Sequence, residues 1–394
     1  MTERTGMSAW RFVLTFGVVA MLADVVYEGA RSVSGPLLAG LGATALVVGV
    51  VTGVGEAAAL LLRLVSGPLA DRTGRFWAWA ISGYVLTVVA VPLLGLASAL
   101  WVASGLLVAE RVGKAVRSPA KDTLLSHATA VTGRGRGFAV HEALDQVGAL
   151  AGPLVVAGVM AVSGGRFGPA LVTLAVPGVL ALALVVWLRA QVPEPARYEV
   201  RRPSRGGAGE RASRLPRAFW EYAAFAGLTT TGFATFGVLS FHLVTADLLS
   251  ATAVPLLYAA VMVVDAVAAV ATGWAYDRFG AVVLAGLPVV AAVVPALGFS
   301  MTAGTAIAGA LLWGAALGIQ ESTLRATVAD LVGPGRRATA YGLFGAVVGV
   351  AVAAGGALAG GLYQVSVPLL VATTATLQVV ALVVLVVALR ARGL

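Results

Sequence analysis

The chain is poor in charged residues. Only 11% of its 394 residues are Asp, Glu, Lys or Arg, whereas 59% are hydrophobic. Soluble globular proteins carry about 25% charged residues, because their surfaces face water. The composition therefore excludes a soluble enzyme, a disordered chain and a nucleic-acid-binding protein, although the net charge is +9. It predicts a polytopic membrane protein.

Further absent residues and motifs limit the kinds of chemistry that this chain can carry out. The sequence contains no cysteine, which excludes disulfides and thiolate metal sites. It has no GxxxxGK[ST] loop, so we expect no ATP-driven step. It also shows no catalytic constellation and no cluster with metal-ligand spacing. We therefore expect a protein that is not an enzyme and needs no cofactor.

Long apolar runs are abundant instead. Each is long enough to cross about 30 Å of hydrocarbon, and none shows the alternation of a β-barrel strand, so we predict helices. Twelve such runs lie near 11–33, 44–67, 76–98, 100–121, 137–163, 167–189, 218–246, 252–275, 281–301, 304–328, 338–363 and 366–389.

The arginines predict the orientation and the domains. They gather in the even-to-odd loops, so the positive-inside rule places both termini in the cytoplasm of a bacterial inner membrane. Residues 191–217 hold seven Arg and no apolar run, and they separate residues 1–190 from 218–394. This segment is either a cytoplasmic tether or a binding site for anionic membrane lipids. The sequence thus predicts an all-α integral membrane protein with two six-helix bundles.

An internal repeat supports the two halves. The pattern G-x-x-x-D-R-x-G occurs at 67–74 and 206 residues later at 273–280, and Gly-Arg pairs occur at 135–136 and 335–336. Two motifs in the same order indicate duplication. The residues concerned are Gly67, Asp71, Arg72, Gly74, Arg75, Asp277 and Arg278. Asp71 and its neighbours form either a conformational latch or a well-made turn.

With these motifs the sequence resembles the major facilitator superfamily over its whole length. Arg111 and Lys114 resemble the family's fourth-helix motif, and Gly148, Gly152 and Pro153 resemble the fifth-helix motif of its drug/proton antiporters. The resemblance implies two pseudo-symmetric bundles, a central cavity and alternating access. The glycines and Pro153 serve either as a hinge or seal or simply as packing positions.

Ionisable residues inside the spans are functional candidates, because each costs roughly 2.5–3.5 kcal/mol at the centre of a membrane helix. They concentrate in the N-terminal half, which predicts proton coupling there. The C-terminal half is expected to supply an apolar and aromatic wall, and the alternative for its aromatic residues is core packing or an interfacial belt. The proton-coupling candidates are Asp24, Glu28, Glu56, Glu110 and Asp145. The substrate or charge-pair candidates are Tyr27, Arg31, Arg111, Lys114, Gln146 and Asp265.

Each of these charged groups has two possible roles. Asp24 and Glu28 are our first coupling candidates, with Asp145 next, but either of the first two also suits a gate with Arg31. Arg111 with Glu110, Glu56 or Asp145 is either a proton site or a permanent ion pair. His141 either relays protons or is solvated near the cytoplasmic end of its helix.

The preferred function is a proton-driven exporter, an antiporter of amphipathic or drug-like small molecules. The alternatives are an importer or facilitator of a polar or anionic metabolite, and a receptor or lipid-handling scaffold that does not transport. The expected partners are a small-molecule substrate, protons and membrane lipids, with no nucleic acid and a monomeric state.

Overall fold

The computed structural model describes residues 7–198, 215–333 and 336–390. This part of the chain is helical and contains no strand. Its helices are α1 (Ala9–Gly40), α2 (Ala45–Leu61), α3 (Arg63–Thr73), α4 (Phe76–Leu94), α5 (Leu100–Thr132), α6 (Arg134–Val162), α7 (Phe167–Thr173), α8 (Ala175–Gln191), α9 (Arg217–Thr231), α10 (Phe236–Thr245), α11 (Val254–Phe279), α12 (Gly286–Gly298), α13 (Ala303–Leu331), α14 (Arg337–Val365) and α15 (Val367–Arg390).

Ten stretches of the described residues are long and apolar enough to span a membrane. One of them, Val254–Gly298, is 45 residues long and contains both α11 and α12. Helix α5 has 33 residues but is interrupted by charged side chains, so it is not among the ten. The helices are therefore consistent with the twelve predicted spans. Three of those spans are broken in the structure, at Leu62, at Leu174 and at residues 232–235.

The helices form two compact units. The first contains Met1–Arg31 and Leu62–Ala208, and the second contains Ser32–Leu61 and Gly209–Leu394. Helix α2 belongs to the second unit because glycines let it approach α14 closely: a Cβ on Gly49 would collide with the carbonyl of Gly356. Residues 32–61, which precede the predicted linker, thus pack with residues that follow it. The six-plus-six division stays a prediction.

The repeated motif ends a helix in both units. Gly74 follows α3 with φ +62°, and Gly280 follows α11 with φ +67°. Glycine adopts positive φ without the steric cost that a Cβ brings, so both copies use it to stop the helix. Asp71, Arg72, Asp277 and Arg278 lie in the last turns and are exposed. The second Gly-Arg pair, at 335–336, lies partly outside the described residues.

The first unit has an aromatic core, in which Phe12 packs on Phe16 and on Trp77. The start of the predicted linker joins this core in a 3₁₀ turn, Pro195–Tyr198. The Tyr198 hydroxyl donates a hydrogen bond of 2.7 Å to the carbonyl of Met7, and burial raises the pKa of this phenol. Residues 199–214 of the linker lie outside the described residues.

The aromatic residues of the second unit are mainly core residues. Phe236, Tyr258 and Trp313 are at most 2% exposed, and Trp313 donates a 2.7 Å hydrogen bond to the carbonyl of Ala234. Phe233 stacks on Trp313 with ring centroids 5.4 Å apart. The packing alternative therefore holds for these residues.

Candidate functional site

Two stripes of polar residues face each other within the first unit. On α5, Glu110, Lys114, Arg117 and Lys121 follow a spacing of four, three and four residues, which places them on one face. On α6, His141 and Asp145 continue the line of Gly148 and Gly152 with the same spacing. The glycine motif and the polar residues therefore share one face of α6.

The glycines bring α6 onto α1. A Cβ on Gly148 would collide with the carbonyl of Met21, and one on Gly152 with the carbonyl of Val25. A Cβ on Gly148 would also lie 3.1 Å from the Cβ of Asp24. Close backbone approach is thus a demonstrated role of these two residues, whereas the hinge or seal remains a prediction.

Asp24 of α1 pairs with Arg117 of α5. The Arg117 Nη2 atom lies 3.8 Å from Asp24 Oδ1, and the Arg117 side chain is only 4% exposed. Arg117 also donates a 2.8 Å hydrogen bond to the Thr87 hydroxyl of α4, and its guanidinium lies 5.0 Å from the Tyr84 ring centre. Close contact of Gly83 with Gly113 brings α4 and α5 together here.

Asp145 pairs with Lys121 and His141. Its Oδ2 atom lies 3.6 Å from Lys121 Nζ and 3.6 Å from His141 Nε2. The Lys121 and His141 nitrogens are themselves 3.0 Å apart. His141 is 3% exposed, so the prediction of a solvated histidine is wrong. The fold buries it beside Phe16, with ring centroids 6.4 Å apart.

A third group surrounds Tyr27. The Lys114 Nζ atom lies 3.7 Å from the centre of the Tyr27 ring, and the Arg111 guanidinium carbon lies 4.2 Å from it. Glu28 pairs with Arg31 at 3.5 Å, and Arg111 pairs with its neighbour Glu110 at 3.4 Å. Tyr27 therefore offers these cations its ring, which is a cation–π arrangement.

The structure brings together some of the predicted residues but not all. Asp24 and Asp145 join one cluster, defined here as Asp24, Tyr84, Lys114, Arg117, Lys121, His141 and Asp145, in which the charges act on one another. Arg111 pairs with Glu110. Asp145 pairs with Lys121 and not with Arg111. Glu28 pairs with Arg31 of the same helix.

The other predicted residues lie elsewhere in the helices. Gln146 is half-buried in α6 and Pro153 is buried one position after Gly152. Glu56 is half-buried in α2, in the second unit. Asp265 is 3% exposed in α11, where the close approach of Gly318 covers its backbone. A Cβ added to Gly67 of the repeated motif would lie 3.7 Å from the Pro119 side chain of α5.

Lys121 and Tyr84 were missed, and the pairing of Arg117 with Asp24 was not predicted. Lys121 lies one step further along the stripe Glu110, Lys114, Arg117, so extending the helical period would have found it. Tyr84 carries no charge and lies in an apolar run, so nothing in the sequence distinguishes it. Among the described residues, no group of His, Asp and Glu could hold a metal ion.

Comparison with known proteins identifies the family. The profile of the Major Facilitator Superfamily matches residues 14–248. The chain belongs to the major facilitator superfamily. This superfamily member is 60% identical over 383 residues to the uncharacterized protein Rv2265 of Mycobacterium tuberculosis, covering 97% of this chain and 94% of that protein.

Solved structures show the same fold. A crystal structure of a nucleoside transporter NupG variant aligns with TM-score 0.75 and 12% identity, covering 96% of this chain and 99% of that one. A peptide transporter POT variant in complex with sulfate aligns with TM-score 0.74 and 15% identity, covering 97% and 94%. This superfamily member is therefore a multi-pass membrane transporter of the major facilitator fold, not an enzyme, and such transporters generally need no cofactor.

Proposed function

We propose that the protein is a proton-coupled secondary transporter that exports amphipathic or drug-like small molecules by antiport, as in the drug/proton branch of the superfamily. The observation that carries the proton coupling is the pairing of two carboxylates with cations, Asp24 with the buried Arg117 and Asp145 with the half-buried Lys121. The direction of transport rests on the resemblance of Gly148, Gly152 and Pro153 to the antiporter motif.

Paired carboxylates suit an antiporter because proton and substrate compete for the same group. An ionised carboxylate is stabilised by the cation beside it, and burial favours its neutral form. Two such pairs on neighbouring helices can therefore hold different numbers of protons in different conformations. A permanent ion pair would serve packing alone, but it would leave transport independent of pH.

One observation favours a second candidate, a transporter of polar or anionic metabolites. Arg111 and Lys114 both lie within 4.2 Å of the Tyr27 ring centre. Two cations at one ring make a positive region that would attract a carboxylate or phosphate. Related folds occur in transporters described for nucleosides and peptides, which are polar substrates.

The proposal also covers the membrane, the oligomeric state and the orientation of the protein. We place the protein as a monomer in the bacterial inner membrane, surrounded by lipids, with both termini in the cytoplasm. Asp71, Arg72 and Arg75 would then lie at the cytoplasmic face, where they would act as a latch between conformations. Their exposure at the end of α3 leaves them available for that role.

The test is proton movement in proteoliposomes. Purified protein is reconstituted with a pH-sensitive dye in the lumen, an inward-acidic gradient is imposed, and a library of amphipathic cations, nucleosides and short peptides is added singly. An antiporter releases luminal protons when a substrate is added. Asp145→Asn should lose this release, whereas Glu142→Gln, an exposed acid less than one turn away on α6, should keep it.

The outcomes separate the candidates. Proton release with amphipathic compounds alone supports the exporter. Accumulation of nucleosides, peptides or organic anions without proton release supports the metabolite transporter and contradicts proton coupling. Asp265→Asn provides a further comparison, because we expect it to weaken proton release less than Asp145→Asn does. Equal losses would contradict the prediction that coupling lies in the N-terminal half.

A further inference from the structure

We infer that His141 is a positioning residue that allows Asp145 to exchange its proton, by giving the Lys121 ammonium a second acceptor. This inference deepens the proposed proton coupling and rests on it. It assigns a role to Lys121, which the sequence analysis did not select, and it makes His141 a hydrogen-bond acceptor beside Asp145 instead of a proton relay.

The distances show how Lys121 is shared. Its Nζ atom lies 3.0 Å from His141 Nε2, which is hydrogen-bonding distance, but 3.6 Å from Asp145 Oδ2, which is an ion-pair distance. The ammonium therefore already donates to the histidine while it faces the carboxylate. All three side chains are at most 17% exposed, so water offers little replacement for a lost partner.

The hydrogen bond defines the state of the histidine. A lysine ammonium only donates, so His141 Nε2 must accept and the ring must be neutral with its proton on Nδ1. Among the described residues, His141 Nδ1 and Asp145 Oδ1 are buried and have no hydrogen-bond partner. One carboxylate oxygen thus stays open for a proton, while the other faces Lys121.

The exchange follows from this geometry. When Asp145 is ionised, Lys121 neutralises it across 3.6 Å. When a proton from water forms an O–H bond on Asp145, the negative charge disappears and the ammonium keeps its hydrogen bond to His141. The reverse step returns the proton to water and restores the ion pair. Without an acceptor at position 141, protonation would leave the ammonium facing only a neutral carboxyl oxygen 3.6 Å away, so its charge would be poorly compensated, which is costly.

Other ionisable groups also act electrostatically on Asp145 and Lys121. These groups must not be substituted in a test of His141. They come from α1, α4, α5 and α6 itself, and they are Asp24, Tyr84, Lys114, Arg117, Asp122 and Glu142. His141 differs from all of these because it contacts both Lys121 and Asp145 without a charge of its own. Substitution at 141 therefore changes the acceptor while leaving the charges in place.

The experiment follows the protonation of Asp145 directly. Infrared difference spectra of the reconstituted protein are recorded across a pH titration, and the carboxylic acid band that Asp145→Asn removes is assigned to Asp145. His141→Phe keeps a ring but has no acceptor, whereas His141→Gln offers an amide oxygen at a similar reach. No transported compound is needed.

We expect His141→Phe to move the midpoint of this band downward by about one pH unit, a tenfold change in proton affinity. In His141→Gln the midpoint of the band should equal that of the wild type. Thermal unfolding of both variants shows whether they are folded, and the recovery by Gln separates the acceptor role from ring packing.

Three results would overturn the inference: no titrating band that Asp145→Asn removes, an unchanged midpoint in His141→Phe, or equal shifts in both variants. Failure of the proposed function appears differently. In that case the midpoint still moves as expected, but no compound in the library causes proton release from wild-type proteoliposomes.

Discussion

At the scale of single residues, three acids of the first unit each contact a cation. Arg117 reaches Asp24, Lys121 reaches Asp145, and Arg31 reaches Glu28. Removing one partner of a buried pair typically costs roughly 3–5 kcal/mol, because the other charge is left uncompensated. Amide substitutions, which keep the size and polarity of the side chain, are therefore better probes here than alanine.

The first prediction concerns Asp24 and Glu28. Asp24→Asn and Glu28→Gln cannot bind or release a proton, yet they stay polar and similar in volume. We expect both to abolish transport driven by a pH gradient while preserving substrate exchange without a gradient. Flux measurements in proteoliposomes under the two conditions check this. If both variants keep full gradient-driven activity, these acids are structural, and coupling belongs to Asp145.

At the scale of elements, the face of α6 is the feature that assembles the site. Gly148 and Gly152 remove the side chains that would hold α1 away, and His141 and Asp145 continue the same face. A strip of small residues allows helices to pack closely in a membrane. One helix face thus both sets the distance to α1 and presents the acid.

The second prediction tests that packing. In Gly152→Ala the new Cβ meets the Val25 carbonyl and lies 2.8 Å from the Gly29 nitrogen, both of them backbone. We expect destabilisation of about 1–3 kcal/mol, as for other overpacked sites. Gly158→Ala on the same helix is the matched control, because nothing lies within 4 Å of its added Cβ. Thermal unfolding in detergent compares the two, and equal melting temperatures would contradict close packing at Gly152.

The third prediction concerns the end of α3. Asp71 is exposed one turn before Gly74, so Asp71→Asn should leave expression and thermal stability unchanged. If the segment acts as a latch, loss of the charge should slow transport and shift the balance between inward-facing and outward-facing states. Transport rates and accessibility labelling measure the two effects. If neither changes, the motif serves only as a turn.

At the scale of the whole molecule, the duplicated sequence does not produce two equal units. Gly74 and Gly280 end corresponding helices in the same way. The first unit, however, holds the cluster of acids and cations, whereas the second packs Phe236, Tyr258 and Trp313 into an apolar core. The repeated motif thus gives the two units similar helix ends, whereas the cluster of acids and cations lies in the first unit.

The fourth prediction tests the orientation. Because the chain has no cysteine, single introduced cysteines are unambiguous reporters. Ser250 and Glu194 are both exposed, on the predicted external and cytoplasmic sides respectively. A membrane-impermeant maleimide should label Ser250→Cys in intact cells and Glu194→Cys only in inverted vesicles. The reverse pattern would mean that the termini face outward.

The sequence alone was enough to predict the class and architecture of the protein. Length, apolar runs and scarcity of charge predicted a polytopic helical membrane protein, because lipid tolerates only long apolar segments whose backbone groups are satisfied internally. The same cost of burying charge marked Asp24, Glu28 and Asp145 as candidates. These inferences need only the order of residues along the chain.

The tertiary structure decided which charges meet. Helical period places residues on a face, but the rotation of each helix and the backbone distance between helices determine which faces touch. That is why Asp145 contacts Lys121 instead of Arg111, and why Asp24 contacts Arg117. The contacts of Gly148 with Met21 and of Gly152 with Val25 join residues more than a hundred positions apart, so only the folded chain brings them together.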